Sequence, residues 1–275
     1  MIFPQKVNMS NIQKPYLVTI PYSHYCEVAR WALDVSKTQY QEIKYIPGYH
    51  AQTVGKLRQK KENRSHSSFA GQESGYHSGR RKYSVPLVLM PNGIIYKDSW
   101  EILEYFFGPV NQKWKEILDN KLGIATRQLA YYFYLDPKNK SLMSNIIKQA
   151  TPGERLFWFF FENKIRRSMY ELMAITKKNI ETSKKVILEI FEQASIRLEL
   201  NPYSITEGPN FSPTDLAFCA LGSIVILPKN YSGNVIKMES LERHPNEYQE
   251  IIKLCRATKA GEFIIQNYET KRVSF

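Results

Sequence analysis

The sequence predicts a small α/β domain followed by a larger all-α domain. Three observations predict it. Up to about residue 108, short β-branched runs alternate with amphipathic stretches. From Asn111 onward no strand pattern is present and helical periodicity takes over. Gly108-Pro109 punctuates the switch and marks a boundary, which gives units of about 14–108 and 111–270.

Tyr16 to Ile20 (YLVTI) is short, β-branched and ended by Pro21, so it reads as a strand. Cys26 to Asp34 reads as an amphipathic helix, with Val28, Trp31, Ala32 and Val35 at helical spacing. Gln41 to Ile46 alternates and reads as a second strand. Pro86 to Met90, the turn Pro91-Asn92-Gly93 and the return Ile94 to Tyr96 read as a hairpin. Asp98 or Ser99 then caps a helix through Trp100, Ile102, Leu103 and Phe106. The order is β-α-β-(loop)-β-β-α. Later helices are expected over roughly Lys113–Tyr134, Glu154–Thr176, Ile180–Leu200, Pro213–Leu227 and Leu241–Cys255.

The chain has 275 residues, 43% of them apolar, enough for a substantial core. Its charge is +12, which favours acidic partners without choosing among them. That charge is local. Between Ala51 and Lys82 lie eight Lys and Arg against Glu62 and Glu73, leaving +6 in a Ser- and Gly-rich stretch with little apolar periodicity. It reads as a solvated loop, or as a surface that docks on an acidic partner. The charge is therefore no argument for a nucleic-acid-binding fold. Cys26, Cys219 and Cys255 are too few for a disulfide scaffold and fit a reducing compartment. The most apolar run, Leu156 to Phe161, is too short to span a bilayer. The start of the chain has no continuous apolar segment of the secretory type. The expectation is a soluble, cytoplasmic protein.

Three constellations carry chemistry. Ser23-His24-Tyr25-Cys26 lies at a strand-to-helix turn, where the unpaired N–H groups of the helix favour a thiolate. Ser23 can donate to the thiolate of a bound thiol, or simply cap the helix. Cys26 is either a working thiol or a small buried hydrophobe, and Tyr22 and Tyr25 are rival hydroxyl donors. Val85-Pro86 opens the third strand, where a proline lacking an N–H is tolerated. With a cis bond, the Val85 backbone would be free to pair with an extended peptide. Asp98-Ser99 opens the next helix, a place for a carboxylate at Ser99 and an ammonium at Asp98, or an ordinary cap.

Taken together, the order and spacing of these pieces resemble the cytosolic glutathione transferase superfamily over about Tyr16 to Tyr268. PYSHYCEVARWALD resembles the family's first turn and helix. SVPLVLMPNGIIYKDSWEILEYF resembles its cis-proline strand, hairpin and acidic-Ser helix start. FSPTDLAFCALG resembles its buried capping box, with Ser212 as N-cap, Asp215 at N3 and Phe211 and Leu216 as a staple. Asp-Ser in place of the commoner Glu-Ser, and the tail LCRATKAGEFIIQNY, are similar to a bacterial-type subgroup.

The resemblance implies an N-terminal thioredoxin-like domain with a mixed sheet, β-α-β-α-β-β-α, and a helical C-terminal domain. The missing second helix would fall in the basic insert at about 51–82. It implies glutathione as co-substrate and no metal. Ser23 would activate the glutathione thiol, with Cys26 and Tyr22 as alternatives. Val85 and Pro86 would meet the cysteinyl backbone, Asp98 and Ser99 the γ-glutamyl end, and Lys82 or Arg81 the glycine carboxylate. Tyr131, Tyr132, Tyr134 and Trp158 are either the wall of a pocket for a small electrophile or helical core. Conjugation or peroxide reduction of the detoxification type, and a homodimer, are implied. Two other readings stand beside this one. The first is a non-catalytic interaction module that docks through the basic loop. The second is a Cys26-dependent thiol transferase.

Overall fold

The computed structural model describes residues 13–59, 83–234 and 240–272. Four short strands, β1 (Tyr16–Thr19), β2 (Gln41–Lys44), β3 (Leu87–Leu89) and β4 (Ile95–Tyr96), form one mixed sheet in the order β2-β1-β3-β4. β2 runs parallel to β1, with Val18 opposite Ile43. β3 runs antiparallel to β1, with Val18 opposite Leu87, and β4 antiparallel to β3. The parallel pair needs a crossover, which α1 (His24–Val35) supplies; the antiparallel pair needs only the Pro91-Asn92-Gly93 turn, where Gly93 takes φ 85°.

Both faces of the sheet are covered. Leu17 and Val88 join Ala29 and Leu33 of α1 and Ile102 of α3 (Ser99–Phe106) in one layer. Val18 and Leu87 point the other way, as alternation along a strand requires, and meet Val54 and Leu57 of α2 (Ala51–Gln59). This corrects the reading of 51–82 as a loop from its first residue. Val54 and Leu57 are one helical turn apart, and that pair is enough to anchor nine residues. The remainder of the insert, with Arg81 and Lys82, lies outside the described residues.

Past residue 108 the described elements are helical. α4 (Gln112–Ile117), a π turn (Leu118–Leu122) and α5 (Gly123–Tyr134) follow without a break. Then come α6 (Lys140–Lys148), α7 (Pro152–Leu172), α8 (Lys177–Leu200), α9 (Pro213–Gly222), α10 (Asn246–Arg256) and α11 (Lys259–Thr270). α9 is the centre of this region, buried from Thr214 to Gly222. Its start carries a reciprocal capping box: Ser212 N–H donates to Asp215 Oδ2 at 2.7 Å and Asp215 N–H to Ser212 Oγ at 3.3 Å. Asp215 also accepts from Ser204 Oγ and the Ile205 N–H, each at 2.7 Å. A second capping box, Thr151 with Glu154, starts α7. The sequence reading did not include it or α6. No helix among the described residues is long and apolar enough to cross a membrane.

Candidate functional site

Sheet register brings the chemistry-bearing segments to one end. β1 ends at Thr19, and the chain turns through Tyr22-Ser23 into α1. Because β3 is antiparallel to β1, the residues that lead into it, Val85-Pro86, lie at that same end. Because β4 is antiparallel to β3, its exit through Asp98-Ser99 lies there too. The Val85-Pro86 peptide is cis.

Ser23 is the N-cap of α1. Its extended backbone (φ −76°, ψ 118°) directs the hydroxyl back over the first turn, where it accepts the Cys26 N–H at 3.4 Å. The residue is half-buried. Capping uses only a lone pair, so the hydroxyl proton can be donated, and the Cys26 thiol is one acceptor within its reach. Cys26 differs sharply. It is fully buried, and burial pushes its thiol pKa up, against the opposing influence of Arg30 and the Ser23 hydrogen bond.

His24 and Tyr25 turn toward the helical region. His24 Nε2 lies 3.0 Å from Gly123 O; a carbonyl only accepts, so that nitrogen carries the hydrogen. Burial holds the ring neutral, with its pKa lowered to about 3. Tyr25 OH donates to Asp119 O at 3.4 Å. Asp119 belongs to the π turn, whose wider ladder displaces carbonyls from ordinary pairing. Gly123 leaves room for this contact: a Cβ there would fall 2.3 Å from the Tyr25 hydroxyl. The Arg127 guanidinium sits over the Tyr25 ring at 5.6 Å, and its buried Nε has no hydrogen-bond partner.

On α5, Arg127 and Tyr131 are four residues apart and share a face. Tyr131 is half-buried, and burial pushes its phenol up to about 12. Tyr132 is half-buried with its ring edge on Phe133, while Tyr134 and Trp158 belong to the helical core. Tyr22 OH accepts from Gln149 Nε2 at 3.4 Å, so the end of α6 reaches the Ser23 turn. Glu154, at the start of α7, accepts the Ile46 N–H at 2.9 Å and pins the β2–α2 connection.

At the other side of the site, Asp98 is the N-cap of α3 and accepts the Trp100 N–H at 2.8 Å. Ser99 is buried in the first turn. Arg58, on α2, donates to Ser84 O and Ser84 Oγ and to Lys97 O. It therefore ties together the two segments that lead into Val85-Pro86 and Asp98-Ser99. Arg58 was counted among the loop charges in the sequence; the structure uses it internally. Arg127 and Gln149 also went unread, because a long polar residue on a helix ordinarily signals a solvent face.

The chain matches no protein-family model, and no curated protein matches it. Solved structures do resemble it. The beta-etherase LigF from Sphingobium sp. strain SYK-6 is 12% identical with a TM-score of 0.52, over 92% of this chain and 99% of that one. The glutathione S-transferase CsGST63524 of Ceriporiopsis subvermispora, in complex with glutathione, is 12% identical with a TM-score of 0.55, over 95% and 99%. Glutathione transferase GSTFuA3 from Phanerochaete chrysosporium is 11% identical with a TM-score of 0.56, over 95% and 98%. The likeness extends over nearly the whole of each chain. The protein therefore has the glutathione transferase fold: an N-terminal thioredoxin-like sheet domain followed by a helical C-terminal region.

Proposed function

We propose that the protein is a glutathione transferase in which Ser23 stabilises the thiolate of bound glutathione for attack on a small electrophile. One observation carries this reading. The sheet register brings the half-buried Ser23 hydroxyl, the cis Val85-Pro86 strand start and Asp98-Ser99 to the same end of the sheet. An extended γ-glutamyl tripeptide laid across that end would pair its cysteinyl backbone with Val85. Its γ-glutamyl end would meet the α3 N-terminus, whose partial positive charge favours a carboxylate. Its sulfur would lie at the α1 N-terminus. There the helix end and the Ser23 O–H stabilise the anion, which lowers the thiol pKa and raises the thiolate fraction.

Burial of Cys26 supports Ser23 over the thiol-transferase alternative. The homodimer and the Asp-Ser subgroup remain parts of this reading. The test is turnover of glutathione and a generic aryl halide by Ser23→Ala. Loss of a hydrogen bond to a charged sulfur predicts a drop in kcat/KM of about 10- to 100-fold, with glutathione affinity little changed. Activity equal to the unaltered protein would remove Ser23 from the mechanism.

A further inference from the structure

The outer face of α7 is out of keeping with the rest of the surface. Its inner face is ordinary: Glu154, Trp158, Ile165 and Met169 are buried. Its outer face should be polar. Instead Leu156, Phe159 and Phe160 stand on successive turns at 59%, 77% and 68% exposure. The two phenylalanine rings pack edge to face at 5.3 Å, forming one raised apolar ridge. Arg155 and Lys164 flank it on opposite sides, and Arg167 continues it along the helix; all three are exposed.

Charge decides which occupant this face fits. A second copy docked by two-fold symmetry would need self-complementarity. The antiparallel register that stacks Phe159 and Phe160 on their mates sets Arg155 against Lys164. The register that offers Arg155 to Glu171 slides Phe159 over Arg167. A parallel pairing sets each cation against itself. Glu162 lies toward the inner face and is held by Arg166, with Nη2 donating at 2.7 Å, so the acid on the ridge's side is the exposed Glu171, one turn beyond Arg167. Apolar burial and charge pairing therefore conflict in a homodimer here. An anionic lipid surface satisfies both: aromatic side chains enter the headgroup–acyl boundary while Arg and Lys lie among the phosphates. The chain's overall +12 adds attraction of the same sign.

We propose that α7 is a peripheral membrane-docking helix that lies in the surface of anionic bilayers. The full-length protein is sedimented with vesicles of equal parts phosphatidylcholine and phosphatidylglycerol, and with vesicles of phosphatidylcholine alone. Expected is binding to the anionic vesicles, falling as salt rises. The double variant Phe159→Ser, Phe160→Ser weakens it by about tenfold or more. Arg155→Gln, Lys164→Gln and Arg167→Gln weaken it by about fivefold each. Phe159, Phe160, Lys164 and Arg167 are exposed, while Arg155 also donates through Nε to Ala150 O at 2.9 Å; circular dichroism verifies that each variant keeps the fold. No vesicle binding, or binding indifferent to lipid charge and to these substitutions, overturns the proposal. So does a concentration-dependent dimer that the double serine variant dissociates, since the ridge would then belong to a second copy. Glutathione turnover is independent of every one of these outcomes.

Discussion

Arg272 Nε donates to Glu27 Oε1 at 2.8 Å, joining the end of the described chain to the first helix across 245 residues. Both side chains are buried. Glu27 also accepts from Arg30 Nη1 and from the Ser232 N–H, and Arg272 Nη1 reaches Asp34 Oδ2 at 2.5 Å. The Arg272 guanidinium lies 5.7 Å from the centre of the Trp31 ring. The segment after α11 is thus fastened to the helix that carries Ser23.

Breaking this pair from one side removes one partner of a buried charge: Glu27 keeps Arg30 and the Ser232 N–H, and Arg272 keeps Asp34. Arg272→Met is expected to destabilise by about 2 kcal/mol, and Glu27→Gln by a similar amount. The double variant should lose less than the sum, because the Glu27–Arg272 interaction is then lost only once. Urea unfolding of the three variants checks this; single-variant losses below about 1 kcal/mol would show that water reaches the pair.

Arg58 offers a test of the proposed tripeptide site that leaves Ser23 untouched. Its guanidinium holds Ser84 and Lys97, the residues just before Val85 and Asp98. Arg58→Met should let both segments shift. Glutathione affinity is expected to fall about tenfold, while kcat at saturating glutathione stays within about threefold. Titration of glutathione against each protein, followed by turnover, separates the two effects. A lower kcat with unchanged affinity would place Arg58 outside the tripeptide site.

The contrast between Arg58 and its neighbours shows what could be read without coordinates. β1, α1 and the hairpin were legible because Leu17, Val18, Val28, Trp31, Leu87 and Val88 are apolar at the period of their element and all become core. α2 was obscured because Val54 and Leu57 are its only large apolar residues amid a run of charge and serine. α6 fell between two prolines, with Leu142, Met143 and Ile146 too sparse to stand out. Ser23, Val85 and Asp98-Ser99 became candidates through turn and cap chemistry, a local property. Arg127 and Gln149 were not, since their places depend on how α5 and α6 approach α1. Such long-range packing leaves no periodic trace.

The cysteines separate two chemistries. All three are buried, and burial raises each thiol, that of Cys255 to about 12. A buried, protonated thiol is a poor nucleophile. In native protein, a disulfide reagent should react with these thiols far more slowly than with denatured protein, and Cys26→Ala should retain conjugating activity. Rapid labelling of Cys26 accompanied by loss of turnover would restore the thiol-transferase reading.

His24 supplies a pH-dependent term whose sign follows from its burial. The folded ring has its pKa lowered to about 3 from an ordinary 6.5, chiefly by desolvation, with the nearby Arg127 cation acting the same way. The unfolded chain therefore takes up a proton as pH falls below about 6.5, while the folded chain does not until about 3. Over that window the unfolded state binds more protons, so stability falls with falling pH and is complete above about 6.5. From pH 7 to pH 5 the contribution of this one residue is a loss of about 2 kcal/mol. His24→Gln keeps a donor for Gly123 O and carries no titrating group. Its stability at pH 7 should drop modestly, by about 1 kcal/mol, but its loss on acidification to pH 5 should be smaller than that of the unaltered protein by about 2 kcal/mol. Urea midpoints at the two pH values measure the difference. Equal slopes for the two proteins would mean that His24 is protonated in the folded state, and the hydrogen bond to Gly123 would then belong to an imidazolium.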